Sequence, residues 1–377
     1  MTTDAKHVWV LGAGFSKPLG GPLLGDLFRE EDQRDIEAYF PPIDYSDLAH
    51  DQGWVQSLFK EGAHGGFWVD AEQFLTYVDD AYRPTGEPKM RKLTNLVQRA
   101  MSSAEQGSAK QTRILARLDR MVRRALAVDC SRFLMGIPPD SELWIPYHAW
   151  IQSLVPGRDV VLTFNYDLVI ETAIHRDDPE HEHFTNKIWV GLPGERQPRE
   201  VVPVYKLHGS IDWAVLPGKH IVGSDRKDRL EALRSGETKI AIAAPGSSKA
   251  EFVREHLEPL WRPAEKALAE AERVFFIGYS FPDTDPSPQD RLLNAFASEP
   301  GEISFRRADI ILGRDHATSD LGRRALELVR STAAKRQVFL NHESSGVSAL
   351  SIYQRPLGTQ DFIGRWQQIV DAAPISR

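Results

Sequence analysis

The chain has 377 residues, 41% of them hydrophobic and 26% charged, so it can form one large domain or two ordinary ones with an ample core. The formal net charge of −7 argues against a broad nucleic-acid or membrane surface as the main partner. The single cysteine, Cys130, excludes a disulfide within the chain and argues against structural zinc, which needs several Cys or His ligands at fixed spacing.

The N-terminal residues before His7 are polar and lead directly into an apolar run, so they lack the apolar core of a signal peptide. Nowhere does the sequence contain 18 consecutive apolar residues, the length that a bilayer span requires. We therefore expect a cytoplasmic protein that does not enter a membrane.

The first predicted element is a buried strand at residues 7–11, followed by the glycine-rich sequence GAGFS at residues 12–16 and a helical pattern at 23–30. In this context Gly12 and Gly14 let backbone amides approach a pyrophosphate, and the N-terminus of the next helix favours negative charge. The third glycine of the dinucleotide fingerprint is absent, and Ser16 stands near its place. A structural β-turn is the alternative interpretation.

Residues 31–150 change to a helical pattern, with short candidate helices at 32–39, 72–82 and 90–101. The clearest helix is predicted at 111–128, where apolar residues recur every 3.6 positions. Its other face carries a run of arginines: Arg113, Arg117, Arg120, Arg123 and Arg124. We expect these to be solvated or paired with acidic neighbours, with contact to nucleic acid or an acidic partner as the alternative. We interpret residues 31–150 as a helical insertion or cap and a possible oligomerisation surface.

A fully apolar strand is predicted at residues 159–163, and it ends in the sequence TFNYD. Asn165 and Asp167 thus lie at a carboxyl strand end, where open α/β sheets bind ligands. The alternative role for both is to cap the helix predicted at 168–175. The three histidines of residues 175–183 are irregularly spaced among acidic residues, which favours a solvated loop over a metal site.

The stretch VYKLHGSIDW at residues 204–213 predicts a strand that ends in His208, followed by Gly209 and Ser210. Histidine gains or loses a proton near neutral pH, which suits a general base. A structural histidine is the alternative, and only the convergence of other loops on the same pocket favours catalysis.

Further strands are predicted at 239–244, 273–277, 309–312 and 338–340, and further helices at 219–238, 252–271, 290–297, 320–331 and 361–370. The 273–277 strand ends in GYSFPDTD, another loop rich in Gly, Ser and Asp. This alternation predicts an α/β fold with a Rossmann-like, mostly parallel sheet, helices on both faces and a large helical insertion. The sheet domain comprises residues 1–30 and 151–377.

Four short motifs occur in the order seen in sirtuin-like proteins: GAGFS at 12–16, TFNYD at 163–167, LHGS at 207–210 and GYSFPDTD at 278–285. The chain most resembles the sirtuin-like NAD hydrolases of bacterial anti-phage defence. The resemblance spans roughly residues 7–315 and leaves 31–150 outside it.

The resemblance implies specific roles for the motif residues. Gly12, Ala13, Gly14 and Ser16 would hold the NAD pyrophosphate. Asn165 and Asp167 would contact the nicotinamide ribose and the attacking water, and His208 would act as base. The remaining residues assigned to NAD binding are Gly209, Ser210, Gly278 and Ser280. An oxocarbenium-like transition state requires such polar groups fixed on the ribose.

Protein deacetylases of this family carry four zinc-binding cysteines, whereas this chain has one. We therefore predict a zinc-free NAD glycohydrolase that forms nicotinamide and ADP-ribose, with the hydrolysis or cyclisation product left open. The alternatives are a non-catalytic NAD or ADP-ribose sensor and a zinc-less deacylase. The resemblance also implies control by homo-oligomerisation or by a partner such as a HerA-type ATPase or an Argonaute-like protein.

Overall fold

The computed structural model describes residues 6–28, 46–101, 107–177, 187–216, 218, 220–223, 233, 239–282, 286–297, 305–314, 319–335 and 349–371. Its strands are β1 His7–Leu11, β2 Asp159–Thr163, β3 Ile188–Val190, β4 Val202–Lys206, β5 Gly209–Val215, β6 Ile221–Gly223, β7 Lys239–Ile242, β8 Arg273–Ile277, β9 Phe305–Ile311 and β10 Ala349–Arg355.

The helices of the first half are α1 Ser46–His64, α2 Ala71–Ala81, α3 Glu87–Ala100, α4 Ser108–Asp129, α5 Arg132–Met135, α6 Ile145–Ser153 and α7 Val169–Asp177. Those of the second half are α8 Lys249–Phe252, a π-helical turn Val253–Leu257, α9 Glu258–Glu270, α10 Pro286–Phe296, α11 Asp320–Lys335, α12 Thr359–Ile363 and α13 Trp366–Asp371.

A seven-stranded sheet in the order β10-β9-β8-β1-β2-β4-β3 forms the centre of the molecule, and every pairing in it is parallel. Along β1, Val8 and Val10 pack into one core while Trp9 and Leu11 pack into another on the opposite face. Helices α9, α10 and α11 cover the first face, and α6, α7 and α12 cover the second. Burial on both faces explains the apolar runs and confirms the predicted Rossmann-like α/β class.

The direction in which successive strands are added to the sheet changes at β1. The chain adds β2 and β4 on one side of β1, and then returns to add β8, β9 and β10 on the other. The switch point therefore lies between β1 and β8, and the crevice outside their carboxyl ends is where open α/β sheets bind ligands.

Helices α1–α4 form a separate layer, called the helical unit below, with a core of its own that includes Trp54, Phe74, Leu96 and Leu118. A second sheet in the order β6-β5-β7 is antiparallel and contributes Ile240 and other residues to this core. The strand predicted at 239–244 thus exists as β7 but leaves the main sheet, because its apolar residues are buried against the helical unit.

The predicted boundary between residues 150 and 151 falls inside α6. Trp150 lies edge-on to Trp9 of β1 with ring centroids 5.7 Å apart, and the Tyr147 hydroxyl donates to the Phe15 carbonyl over 2.7 Å. These contacts place α6 on the main sheet, with the elements that carry the glycine loop.

The helix predicted at 23–30 is wrong for its described part. The chain instead makes short 3₁₀ turns at Ala13–Phe15, Lys17–Leu19 and Leu24–Asp26. Gly20, in the left-handed region with φ of 90°, ends the second turn, and Phe28 leaves helical geometry with φ of 57°. Repeated Gly and Pro residues here favour turns over a regular helix.

The arginine face of α4 is partly buried rather than simply solvated. Arg124 is 1% exposed and pairs with Asp51 of α1, and Arg123 pairs with Asp119 while donating to the Ile242 carbonyl of β7 over 2.7 Å. The expected acidic pairing is present, and the second sheet covers this face.

Several predictions fall on undescribed residues, namely the helix at 32–39, the strand at 338–340 and most of the helix at 219–238. The described edge strand β10 has no counterpart in the sequence interpretation. Within the described residues no helix combines the length and the apolar character needed to cross a membrane.

Candidate functional site

Four adjacent strands, β8, β1, β2 and β4, bring the sequence motifs to one edge of the main sheet. Leu11 lies opposite both Thr163 and Ile277, and Thr163 lies opposite Lys206, so the strands end at the same level. Four segments therefore start side by side: the glycine loop at 12–16, the TFNYD segment, the LHGS segment and residues 278–282, called the GYS loop.

The glycine loop packs backbone against backbone on the GYS loop. Gly12 N donates to Ile277 O over 3.0 Å and Gly14 N donates to Gly278 O over 3.1 Å. A Cβ atom on Gly12 would lie 2.6 Å from Gly278 O, and one on Gly14 would lie 2.7 Å from Gly278 Cα. Gly278 itself has φ of +63°. Close approach thus explains why these positions need glycine.

This loop differs from the expected phosphate cradle in one respect. Within residues 13–28, the described part that follows β1, 3₁₀ turns replace the predicted α-helix, so no α-helix N-terminus from this part faces the loop. The amides of Phe15 and Ser16 donate to Gly12 O and Ala13 O, and Ala13 is the exposed residue of the loop. A pyrophosphate bound here would have to be held without the predicted helix dipole.

Asn165 joins the first two motifs. Its side chain is 9% exposed, and Nδ2 donates to Gly12 O over 3.0 Å and to Ser16 Oγ over 3.1 Å. The Ser16 hydroxyl in turn donates to Asp167 Oδ2 over 2.7 Å. Gly12, Ser16, Asn165 and Asp167 therefore form one connected group, as the shared-pocket hypothesis requires.

Asp167 also caps α7, since Val169 N donates to its Oδ1 over 3.1 Å. Asp167 thus bonds the first turn of α7 and also belongs to the connected group. Burial raises the pKa of Asp167 above its ordinary value, against the opposing effects of the Ser16 hydroxyl and the Lys206 ammonium.

A buried ion pair between β4 and α7 holds the end of the TFNYD segment in place. Lys206 Nζ lies 2.8 Å from Glu171 Oε1 of α7 and donates to the Asp167 carbonyl over 2.6 Å. Their side chains are 1% and 5% exposed, so the pair fixes the strand end against the helix. Sequence analysis missed this pair, although a lysine inside the apolar run of β4 is a signal of a buried partner.

His208 lies in an aromatic cluster between β4 and β8. Its ring meets Phe164 edge-on with centroids 4.8 Å apart, and Phe164 stacks on Tyr279 of the GYS loop at 4.4 Å. Trp261 of α9 donates its indole N–H to the Leu207 carbonyl over 3.0 Å. The imidazole is 5% exposed. Phe164, which precedes Asn165 in the chain, therefore contacts both His208 and the GYS loop.

Gly209 and Ser210 begin β5 and form the hinge between the two sheets. Gly209 has φ of +81°, and a Cβ there would lie 1.9 Å from Ala241 O. Ser210 is fully buried, with its hydroxyl 3.5 Å from the Tyr166 carbonyl. Gly209 therefore turns the chain and Ser210 lies buried within β5, and the contact of both with NAD stays a prediction.

The remaining predicted site residue, Ser280, is half-buried two positions after Gly278, while residues 283–285 lie outside the described part. A contact that sequence analysis missed comes from α12, where the Thr359 hydroxyl donates to the Gly14 carbonyl over 2.9 Å. No local sequence signal indicates it, because the two residues are 345 positions apart.

Among the described residues, no three His, Cys, Asp or Glu side chains cluster in a way that could hold a metal ion. Cys130 is buried, and burial, followed by the nearby Asp167 and Asp129 carboxylates, raises the pKa of its thiol. A protonated thiol is a poor metal ligand.

Residues 159–327 match the family described as a SIR2-like domain. The match starts at β2 and ends within α11, so it includes Asn165, His208 and Gly278 but not the glycine loop. It supports a sirtuin-like family and, in general terms, an NAD-related activity. No curated protein matches the chain.

Proposed function

We propose that this protein is an NAD glycohydrolase that releases nicotinamide and ADP-ribose. The observation that carries the proposal is the connected group Gly12–Ser16–Asn165–Asp167, with His208 beside Phe164, at the carboxyl ends of adjacent parallel strands. The SIR2-like match over the segment that holds Asn165 and His208 supports the same conclusion.

The proposed reaction breaks the bond between nicotinamide N1 and ribose C1′, and its electron pair leaves with the nicotinamide. Water forms the new bond to C1′ and transfers its proton to His208. Asn165 would hold the ribose or the water, and Asp167 would orient Asn165 through Ser16. A buried, connected set of polar groups suits this chemistry because dipoles fixed before the reaction stabilise developing positive charge on the ribose.

The test measures nicotinamide release from NAD by the purified protein. Asn165→Ala and His208→Ala are each expected to lower the rate at least 100-fold, on the order of the loss for a fixed dipole or a general base. Lys6→Ala, which removes an exposed ion pair with Glu270 at the opposite end of the sheet, is the matched control and should retain the wild-type rate.

Other outcomes would assign a different function. Tight NAD binding without product would indicate a sensor, and one observation favours that reading: Asn165 Nδ2 already bonds two protein oxygens. Nicotinamide release that requires an acylated peptide would indicate a deacylase. Release of a cyclic product would change the acceptor from water to the ribose or adenine of the same molecule.

We further propose that the enzyme is an anti-phage effector whose activity is held off by homo-oligomerisation or by a partner, such as a HerA-type ATPase or an Argonaute-like protein. The support is the motif resemblance together with the hazard that unrestrained NAD loss poses to a cell. A monomer that is fully active alone, with no change on adding either kind of partner, would contradict this.

A further inference from the structure

The segment that follows β7, residues 243–248, is called the β7 loop, and it is hydrogen-bonded to the backbone of His208, the candidate base. Ala243 N donates to the His208 carbonyl over 2.8 Å. The Tyr166 hydroxyl donates to the Ala243 carbonyl over 2.9 Å. One end of the β7 loop is thus bonded to the LHGS and TFNYD segments.

The other end of the β7 loop is held by α2 of the helical unit. Ser248 N donates to Asp79 Oδ2 over 2.7 Å, and the Ser248 hydroxyl donates to Asp79 Oδ1 over 2.5 Å. The Ser247 hydroxyl donates to Asp80, which also pairs with Lys89. Two adjacent carboxylates therefore receive the donors of the loop.

Gly246 makes the contact possible. It has φ of +144°, and a Cβ there would lie 2.7 Å from Asp79 Cβ. A side chain at this position would push the loop away from α2, so the loop follows the helix closely at this point.

Two cavities border the β7 loop, and Gly246 and Ser247 line both of them. One cavity, of about 640 Å³, is also lined by Trp261, and the other, of about 430 Å³, by Tyr77. Because open space adjoins these two residues, the hydrogen bonds to Asp79 and Asp80 help to define where this end of the loop lies.

We infer that Asp79 and Asp80 are positioning residues for His208, which act through the β7 loop. The helical unit, outside the SIR2-like match, thereby contributes to catalysis without touching substrate. This inference rests on the proposed NAD hydrolysis. It gives residues 71–81 a role that sequence analysis left open.

The test compares Asp79→Ala with Asp70→Ala in the full chain. Asp70 caps the other end of α2, accepting from Gln73 N over 2.8 Å, so its loss weakens the same helix without reaching the β7 loop. We expect Asp79→Ala to lower kcat for nicotinamide release at least tenfold with KM within twofold, and Asp70→Ala to leave kcat within twofold. Asp79→Asn, which keeps one acceptor oxygen, should recover part of the loss.

Hydrogen–deuterium exchange of the peptide covering residues 243–248 supplies a readout that does not depend on activity. Exchange should be at least tenfold faster in Asp79→Ala and unchanged in Asp70→Ala. If Asp79→Ala folds poorly, Ser248→Ala removes only the hydroxyl bond and should show smaller changes in the same direction.

The outcomes separate this inference from the proposed function. An active wild type whose Asp79→Ala and Ser248→Ala variants keep wild-type kcat and exchange would overturn the positioning role alone. A wild type without NAD hydrolysis overturns the proposed function and, with it, the catalytic part of this inference, while the exchange data still decide whether α2 holds the loop.

Discussion

Two aspartates near the two ends of β2 have carboxyl pKa values that are shifted in opposite directions. Asp159, its first residue, is fully enclosed and accepts from Trp9 Nε1, His7 Nδ1 and Val155 N over 2.9, 3.2 and 2.8 Å, with Arg158 beside it. Burial acts to raise the pKa of Asp159, but the hydrogen bonds from His7 and Trp9 outweigh it, so the pKa is lowered.

Asp167, beyond the other end of β2, is partly buried and accepts from the Ser16 hydroxyl and from Val169 N, and its pKa is raised. The two edges of the sheet therefore differ in how many protein donors their carboxylate receives. Protein donors satisfy the carboxylate at the amino edge, whereas the one at the carboxyl edge is left with capacity to interact with a ligand or to change charge.

Asp159→Ala should cause the largest effect. It removes the shared acceptor of His7, Trp9 and Arg158, and breaking a buried charged network costs about 3–5 kcal/mol of unfolding free energy. Urea denaturation measures this. Glu270→Ala, which removes an exposed pair with Lys6 at the same edge, should cost less than about 1 kcal/mol. Equal losses from both variants would contradict the comparison.

A third aspartate, which is buried, extends the comparison to the helical unit. Asp129 ends α4, accepts from Phe28 N over 2.7 Å and Gln52 Nε2 over 2.9 Å, and burial raises its pKa to about 7. Between the unfolded and folded pKa values the folded state binds more protons, so raising the pH from 4 to 7 lowers the unfolding free energy.

Asp129→Asn should remove this decrease of the unfolding free energy with pH. Between pH 4 and 7 the variant and wild type should therefore diverge by about a few kcal/mol. Denaturant unfolding of wild type and variant at intervals from pH 4 to 8 gives the two unfolding free energies. Their difference is then plotted against pH. A difference that stays constant across the range would show that Asp129 keeps an ordinary pKa.

Asp167→Asn should affect activity more than stability. Asparagine keeps an oxygen for the Ser16 hydroxyl and carries no charge to desolvate, so the unfolding free energy should change by less than about 1 kcal/mol. Nicotinamide release should fall roughly tenfold to a hundredfold, because the site loses a negative charge that would stabilise the positive charge developing on the ribose. A variant with normal activity would leave Asp167 as a helix cap only.

The smallest effect concerns acid unfolding. Because the pKa of Asp159 is lowered on folding, its stabilisation is present above the unfolded value and is lost as the pH falls through the folded one. Asp159→Asn should therefore be less stable than wild type at pH 7 and lose stability less steeply below pH 4. If the unfolding free energies of the two proteins fall equally steeply below pH 4, other carboxylates determine the loss of stability in acid.

The sequence predicted the strand ends well, because β1, β2 and β8 are short apolar runs that stop at Gly, Thr or Asn. It also predicted that Asn165, Asp167 and Ser16 lie close together, since neighbouring parallel strands bring their carboxyl ends to one edge, and hydrogen bonds connect the three residues.

Other features depend on contacts between distant segments and could not be predicted. Arg124 has the periodicity of a surface position, and only the fold places Asp51 and the Leu233 carbonyl around it. The second sheet was missed because β4 and β5 are separated by Leu207 and His208 alone, and the left-handed Gly209 turns the chain there.

The central place of β1 has a consequence for synthesis. His7 pairs with Asp159 of β2 on one side and with Arg273 of β8 on the other, so its partner in β8 is made 266 residues after His7 itself. At roughly 5–20 residues per second, a ribosome needs roughly 13 to 50 seconds to deliver it. During that interval Val8, Trp9 and Val10 have no complete sheet to enter, which makes the nascent N-terminus a natural client for chaperones.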